Sequence, residues 1–318
     1  ALPPNETWVR DMLQVLQQNE VSAVSCAEAP REDADLFYRQ ICWNHYNFLG
    51  INQSDRIFSL PERKNHLSLR KNAQLSDLAC LISRELFLQY GYRRDYAEDL
   101  DLGLRLIQDG RRIAFLGSTR VIHSHNRNPY YFLKRGYVDN LFLSDMFSDF
   151  VLPRVTLDEL IPDVAFTYHF LSELIGQLEQ LSLPADSNLF AELILQAFAR
   201  AGMQHYPATL PPLQDAFLDP QAKELLLHLM TGWGLSKARK AYTGFLLSAF
   251  QGYANITIAY VQNTYEALNE ELMDDVKHCL HKAFCILTGA YLAYCYRTGS
   301  AEDSATMAQL HLLLKEGI

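Results

Sequence analysis

From Leu152 onward the chain shows helical periodicity alone, with apolar residues returning every three or four positions. Thr156 with Glu159 three residues on, and Asp219-Pro220, mark helix starts. Pro184, Pro207, Pro211-Pro212 and Gly299 mark breaks. Before about residue 125 the pattern differs: short apolar or β-branched runs alternate with helical stretches. No strand is predicted beyond that point, and no internal repeat is visible. This switch predicts an α/β region over residues 1–150 followed by an all-α region over residues 151–318.

Within the first region, Thr7 to Gln18 carries Trp8, Met12, Leu13 and Leu16 on one helical stripe. Val21 to Cys26 is predicted as a strand, and Asp35 to Phe48 as an aromatic-rich helix. Ser54 to Asn72 lacks clear period, contains Arg63, Lys64, Arg70 and Lys71, and is predicted as a long loop. Asp77 to Ser83 is predicted as a buried strand. Arg84 to Tyr90 follows as a helix stopped by Gly91, and Leu100 to Gln108 as a helix stopped by Gly110. Arg112 to Leu116 and Arg120 to Ser124 are predicted as two short strands, and Tyr130 to Phe150 as an amphipathic helix.

Composition excludes several classes. Hydrophobic residues make up 49% of 318, enough for a large core and too many for disorder. The net charge is −9, and Lys plus Arg against Asp plus Glu is 18 against 19 over residues 1–150 but 10 against 18 over residues 151–318. Neither half offers the basic face that a nucleic-acid partner requires, so none is expected. The six cysteines include no CxxC pair and mostly lie in apolar runs, which points to a reducing, cytoplasmic setting. Ala283 to Tyr296, the longest apolar stretch, is shorter than the roughly 20 residues of a membrane span. Peripheral association with the inner face of a membrane remains compatible with this. The opening Ala1-Leu2-Pro3-Pro4 is expected to continue from residues upstream.

The densest chemistry lies between Gly91 and Leu106. Asp95, Glu98, Asp99 and Asp101 crowd a loop-to-helix junction, where the helix N-terminus favours anions. One of them could accept a proton from a hydroxyl nucleophile; the same residue types also suit a plain helix cap. After one helix and one strand comes His123-Ser124-His125, whose imidazoles share a strand face and suit a divalent metal. Ordinary hydrogen-bonded histidines would look the same. Arg70 and Arg127 are candidates for acceptor or phosphate contacts, as is Asp101. Trp43, His45, Tyr46 and Phe48 could stack on a sugar or simply pack. His278, His281 and Cys285 share a helical face in the second region.

Together these pieces resemble the second half of the catalytic domain of family 2 glycosyltransferases, which have the GT-A fold. The resemblance rests on Gly91 leading to Glu98-Asp99, on Arg105-Leu106 with Gly110, and on Ile113-Ala114-Phe115 running to Val121-Ile122-His123. His123 to Arg127, with Phe132 to Tyr137 after it, looks like the rhamnosyltransferase-type members. Ala29-Pro30-Arg31-Glu32-Asp33-Ala34-Asp35 looks like the stretch after the family's metal motif.

The resemblance implies an inverting, metal-dependent enzyme of cell-surface polysaccharide biosynthesis. Sugar would pass from a nucleotide-diphospho-sugar donor to a polysaccharide or glycolipid hydroxyl. Asp99 would be the base and Glu98 would orient it or the acceptor. His123 would complete the coordination of Mn or Mg on the diphosphate, with His125 as the second candidate ligand. The family's nucleotide-binding half and its Asp-x-Asp motif would precede Ala1, so this chain alone is expected to bind donor poorly. The resemblance does not extend to residues 151–318, for which an acceptor-side cover, an interface with a second copy and attachment to a partner enzyme are all open. Two rivals stand beside this reading: a helical interaction module carried with a degenerate transferase half, and a His-x-His metal hydrolase.

Overall fold

The computed structural model describes residues 1–51, 54–93, 96–202, 220–233, 243–299 and 304–317. Arg94, Asp95, Pro207, Pro211, Pro212 and Asp219 lie outside the described residues. The chain divides into two compact units. One comprises Ala1–Ala34, Ile41–Asn126 and Phe142–Val151, and the other Asp35–Gln40, Arg127–Leu141 and Leu152–Ile318.

The first unit is a mixed four-stranded sheet with helices on both faces. Up to residue 151 the elements run α1 (Trp8–Gln18), β1 (Ala23–Ala29), α2 (Leu36–Leu49), β2 (Arg56–Phe58), α3 (His66–Asn72), a 3₁₀ turn (Asp77–Ala79), β3 (Cys80–Ile82), α4 (Arg84–Tyr90), α5 (Glu98–Gln108), β4 (Ile113–Ile122) and α6 (Pro129–Met146), with α2 as far as Gln40 and α6 as far as Leu141 belonging to the second unit. Strand order is β2-β4-β1-β3; β1 and β4 are parallel, and the short outer strands run antiparallel to them. Side chains alternate along β1 and β4 as strand geometry requires. Val24, Cys26, Ala114 and Leu116 pack with Met12 of α1, while Ala23, Ala27, Ile113 and Phe115 pack with Leu102, Leu106 and Ile107 of α5 and Leu49 of α2.

Three expectations from sequence are corrected here. The stretch from Ser54 to Asn72 is not a bare loop but contains β2 and α3. Asn65 caps α3, its side-chain oxygen accepting the Ser68 N–H at 2.9 Å. Both elements are too short to show a period. The two strands expected over residues 112–124 are one strand, β4. Its register against β1 jumps between Cys26 and Ala27, from Leu116 to Arg120. Gly117, Ser118 and Thr119 form a bulge rather than a turn, and Asp55 accepts the Ser118 N–H (3.0 Å) and hydroxyl (2.7 Å) there. Beyond residue 125 a two-residue strand pair does occur, β5 (Ala185–Asp186) with β6 (Ala267–Leu268).

The second unit is helical. It contains α7 (Leu157–Leu178), α8 (Ser187–Ala201), α9 (Pro220–Trp233), α10 (Phe245–Thr264), α11 (Glu270–Thr298) and α12 (Ser304–Lys315). Thr156 and Glu159 form the expected capping box on α7, the Glu159 carboxylate accepting the Thr156 N–H at 2.9 Å. No helix among the described residues is long and apolar enough to cross a membrane, and none of the six cysteines is disulfide-bonded.

One fully buried carboxylate ties α7 to α10. Asp163 accepts the peptide N–H groups of Thr243 (2.9 Å), Gly244 (3.2 Å) and Leu246 (3.2 Å) and the Thr243 hydroxyl (3.2 Å). The helix is thus capped by a side chain from another helix, because Gly244 at its own N-cap has none. Burial raises the Asp163 carboxyl above its usual range, and the N–H donors oppose that. Asp163→Ala strands these donors and is expected to cost about 3 kcal/mol. Asp163→Asn, which keeps an acceptor oxygen, should lose clearly less; denaturant midpoints of the two variants check this.

Candidate functional site

Parallel strands β1 and β4 end together, and the segments around their C-terminal ends carry the candidate residues. His123 extends the ladder by one step, its N–H donating to the Ala29 carbonyl at 2.9 Å. Cys80 of β3 pairs with Ser25 of β1, so the turn Asp77–Ala79 lies toward that same end. In open α/β sheets this edge is where ligands bind.

The N-terminus of α5 meets this edge. Gly103 lets α5 press against the backbone at Ala73, since a Cβ there would fall on the Ala73 carbonyl. Glu98, Asp99 and Asp101 occupy the first turn, and Ala97 before them is left-handed (φ 53°, ψ 33°). That conformation is costly for a residue with a Cβ. Ala97→Gly is therefore expected to raise stability by about 1 kcal/mol, read as a higher denaturant midpoint.

The Asp99 carboxylate is half-buried. It accepts the Leu100 N–H at 2.6 Å. Burial, then the negative charges of Asp77 and Glu98, push its pKa from 3.8 up to about 6, against the pull chiefly of the Leu100 N–H. The group is thus ionised near neutral pH yet a stronger base than an ordinary carboxylate.

Asp101 has a different setting. It pairs with Arg105 at 2.8 Å, and the Arg105 guanidinium donates to the carbonyls of Tyr90 (2.7 Å) and Gly91 (2.6 Å). Asp101 therefore braces α5 against the end of α4, where Gly91 (φ 56°) supplies the turn.

The two histidines converge, His123 Nε2 lying 2.8 Å from His125 Nε2. Burial, the largest cause, lowers the His123 pKa, helped by Arg31 and opposed by Asp77, so the neutral imidazole is favoured. Neutral imidazole is the ligating form. At 2.8 Å the two rings hydrogen-bond to each other, one donating and the other accepting, and as neighbouring ligands of one tetrahedral metal they would part to about 3.4 Å. No third His, Cys, Asp or Glu joins them in metal geometry among the described residues.

The other candidates lie elsewhere. Arg70 and Lys71, on the last turn of α3, stand 6.0 and 4.7 Å from the Phe48 ring centre. Arg127 belongs to the second unit, over Tyr131 at 5.2 Å. Tyr46 is a core residue whose hydroxyl accepts the Glu28 N–H at 2.6 Å. Asp35 caps α2 by accepting the Tyr38 N–H (2.9 Å) and pairs with Lys282 of α11 (2.6 Å). His278 and His281 spend Nδ1 on the helix carbonyls of Asp274 and Lys277.

Sequence reasoning missed Asp77 and Tyr92. Burial first, then the neighbouring Cys80, Asp77, Asp99 and Glu98, push the Tyr92 hydroxyl up to about 12. The ring stays exposed, edge-on to Phe87 at 5.3 Å. Compared with protein-family models, curated proteins and solved structures, the chain has no match in any of the three.

Proposed function

We propose that the first unit is the acceptor-side half of an inverting glycosyltransferase of GT-A type, with Asp99 as the general base. The observation that carries this reading is the half-buried Asp99 carboxylate on the first turn of α5, accepting the Leu100 N–H and raised to about 6, beside the strand end that bears the two imidazoles. In the reaction the acceptor hydroxyl gives its proton to Asp99 while its oxygen bonds to the anomeric carbon. The bond from that carbon to the diphosphate oxygen breaks, and the electron pair leaves with the diphosphate.

Glu98, next to Asp99 on the first turn of α5, orients the acceptor and adds to the local negative charge. The exposed Tyr92 ring offers an apolar face to a pyranose. His123 and His125 would hold a divalent cation, Mn or Mg, which would supply charge stabilisation to the departing diphosphate. The donor is a nucleotide-diphospho-sugar, and the acceptor a carbohydrate or lipid-linked hydroxyl.

The test is sugar-nucleotide turnover by the intact protein, with any residues that precede Ala1 in place, in Mn²⁺ or Mg²⁺. Metal-dependent release of nucleoside diphosphate that rises with added acceptor supports the reading. Donor binding without turnover under every acceptor tried supports the rival, a helical interaction module on a degenerate half.

A further inference from the structure

The C-terminal helix α12 is held by a narrow apolar stripe and a polar contact. Met307, Leu310 and Leu314 are buried, whereas Leu312 and Leu313 are exposed. Between the buried residues, the His311 ring lies flat on Tyr296 of α11, with centres 4.3 Å apart and planes within 3°. Its Nδ1 is 2.9 Å from the hydroxyl of Tyr137 on α6. Tyr137 is wholly buried, and burial raises its pKa, so the hydroxyl keeps its proton. A buried O–H needs an acceptor, and Nδ1 of the neutral His311 ring serves as one.

We propose that His311 is a pH-sensitive latch, holding α12 against α6 and α11 while its ring is neutral and loosening the helix on taking a proton. A proton on Nδ1 turns that acceptor into a donor. The Tyr137 O–H then loses its bond in a site closed to water. The titratable neighbours of the ring are Tyr137 of α6 and Tyr296 of α11. The charges acting on it are Lys315 of α12 and Arg297 of α11, both positive. Lys134 of α6 is turned to the Glu316 carbonyl. The Tyr296 face attracts an imidazolium, but burial, then Lys315 and Arg297, oppose it and hold the His311 pKa below 6.5. The folded site therefore takes the proton less readily than the free ring. Docking is strongest above pH 6.5 and weakens as pH falls below it.

The experiment is residue-by-residue amide hydrogen exchange of this chain from about pH 8 to about pH 5, corrected for intrinsic exchange rates. The His311 imidazole is titrated by NMR in parallel. Amides of α12 should lose protection as pH falls through 6.5, those of α8 should not, and the His311 midpoint should lie below 6.5. His311→Gln, which can accept the same bond and takes no charge, should hold α12 equally across the range. Unchanged α12 protection in the unaltered chain, a midpoint at or above 6.5, or the same loss in His311→Gln overturns the proposal. If His311→Gln loosens α12 at every pH, the exchange and the midpoint of the unaltered chain decide. None of these readouts depends on the role of Asp99.

Discussion

Gly289→Val is expected to prevent the helical unit from forming. Helices α6 and α11 touch backbone to backbone: a Cβ at Gly289 would fall on the Leu133 carbonyl, and one at Gly136 on the Ile286 carbonyl. Both positions lie within the second unit. Neither neighbour can swing aside, since each is main chain inside a helix. Close-packed interiors transmit such a clash rather than absorb it. A branched side chain forces the helices apart and should cost at least about 3 kcal/mol, with Gly136→Val similar. The control is Gly252→Ala on α10, where a Cβ meets nothing within 4 Å. There the helix-propensity gain of about 0.5–1 kcal/mol should appear as added stability. Circular dichroism and denaturant midpoints of the three variants separate a packing effect from any general intolerance to substitution.

Asp99→Asn is expected to lower turnover by about 10²- to 10⁴-fold while leaving donor affinity unchanged. The amide keeps the shape of the carboxylate and an acceptor for the Leu100 N–H, so the geometry of the turn should survive. Only the capacity to take a proton is lost. The same change should make the fold more stable at neutral pH. Because the folded-state pKa is raised from 3.8 to about 6, the wild-type site is unpenalised below the lower value. The cost of ionising a half-buried group is incurred as pH rises through about 6. Above that pH, Asn should be more stable than Asp by on the order of 1 kcal/mol, and the gap should close below about pH 4. A residue that weakens the fold and supports turnover is typical of a working site.

The sequence makes the local elements of the first unit legible where spacing and caps agree. Gly91 ends α4 with a positive φ, and the Glu98-Asp99 cluster opens α5. The misses share a cause. β2 and α3 are too short to develop a period, and the bulge at Gly117 to Thr119 imitates a turn until β1 is laid beside it. Within the candidate site, Asp99 and His123 stand out by local crowding. Asp77 does not, because its relation to Asp99 arises only when β3 pairs with β1. Asp35 and Lys282 are 247 residues apart, and nothing in either neighbourhood announces their ion pair. The acids of α5 also separate by role only in three dimensions. Asp101 is committed to Arg105, whereas Asp99 accepts the Leu100 N–H.

The central claim is that Asp99 takes the acceptor proton, and the pH dependence of sugar transfer by the intact protein tests it most directly. The rate for wild type should climb about tenfold per pH unit below pH 6 and level off above it. Asp99→Asn should be slow and flat over the same range. A wild-type profile without that limb, or an Asp99→Asn variant that retains both the rate and the limb, would contradict the assignment.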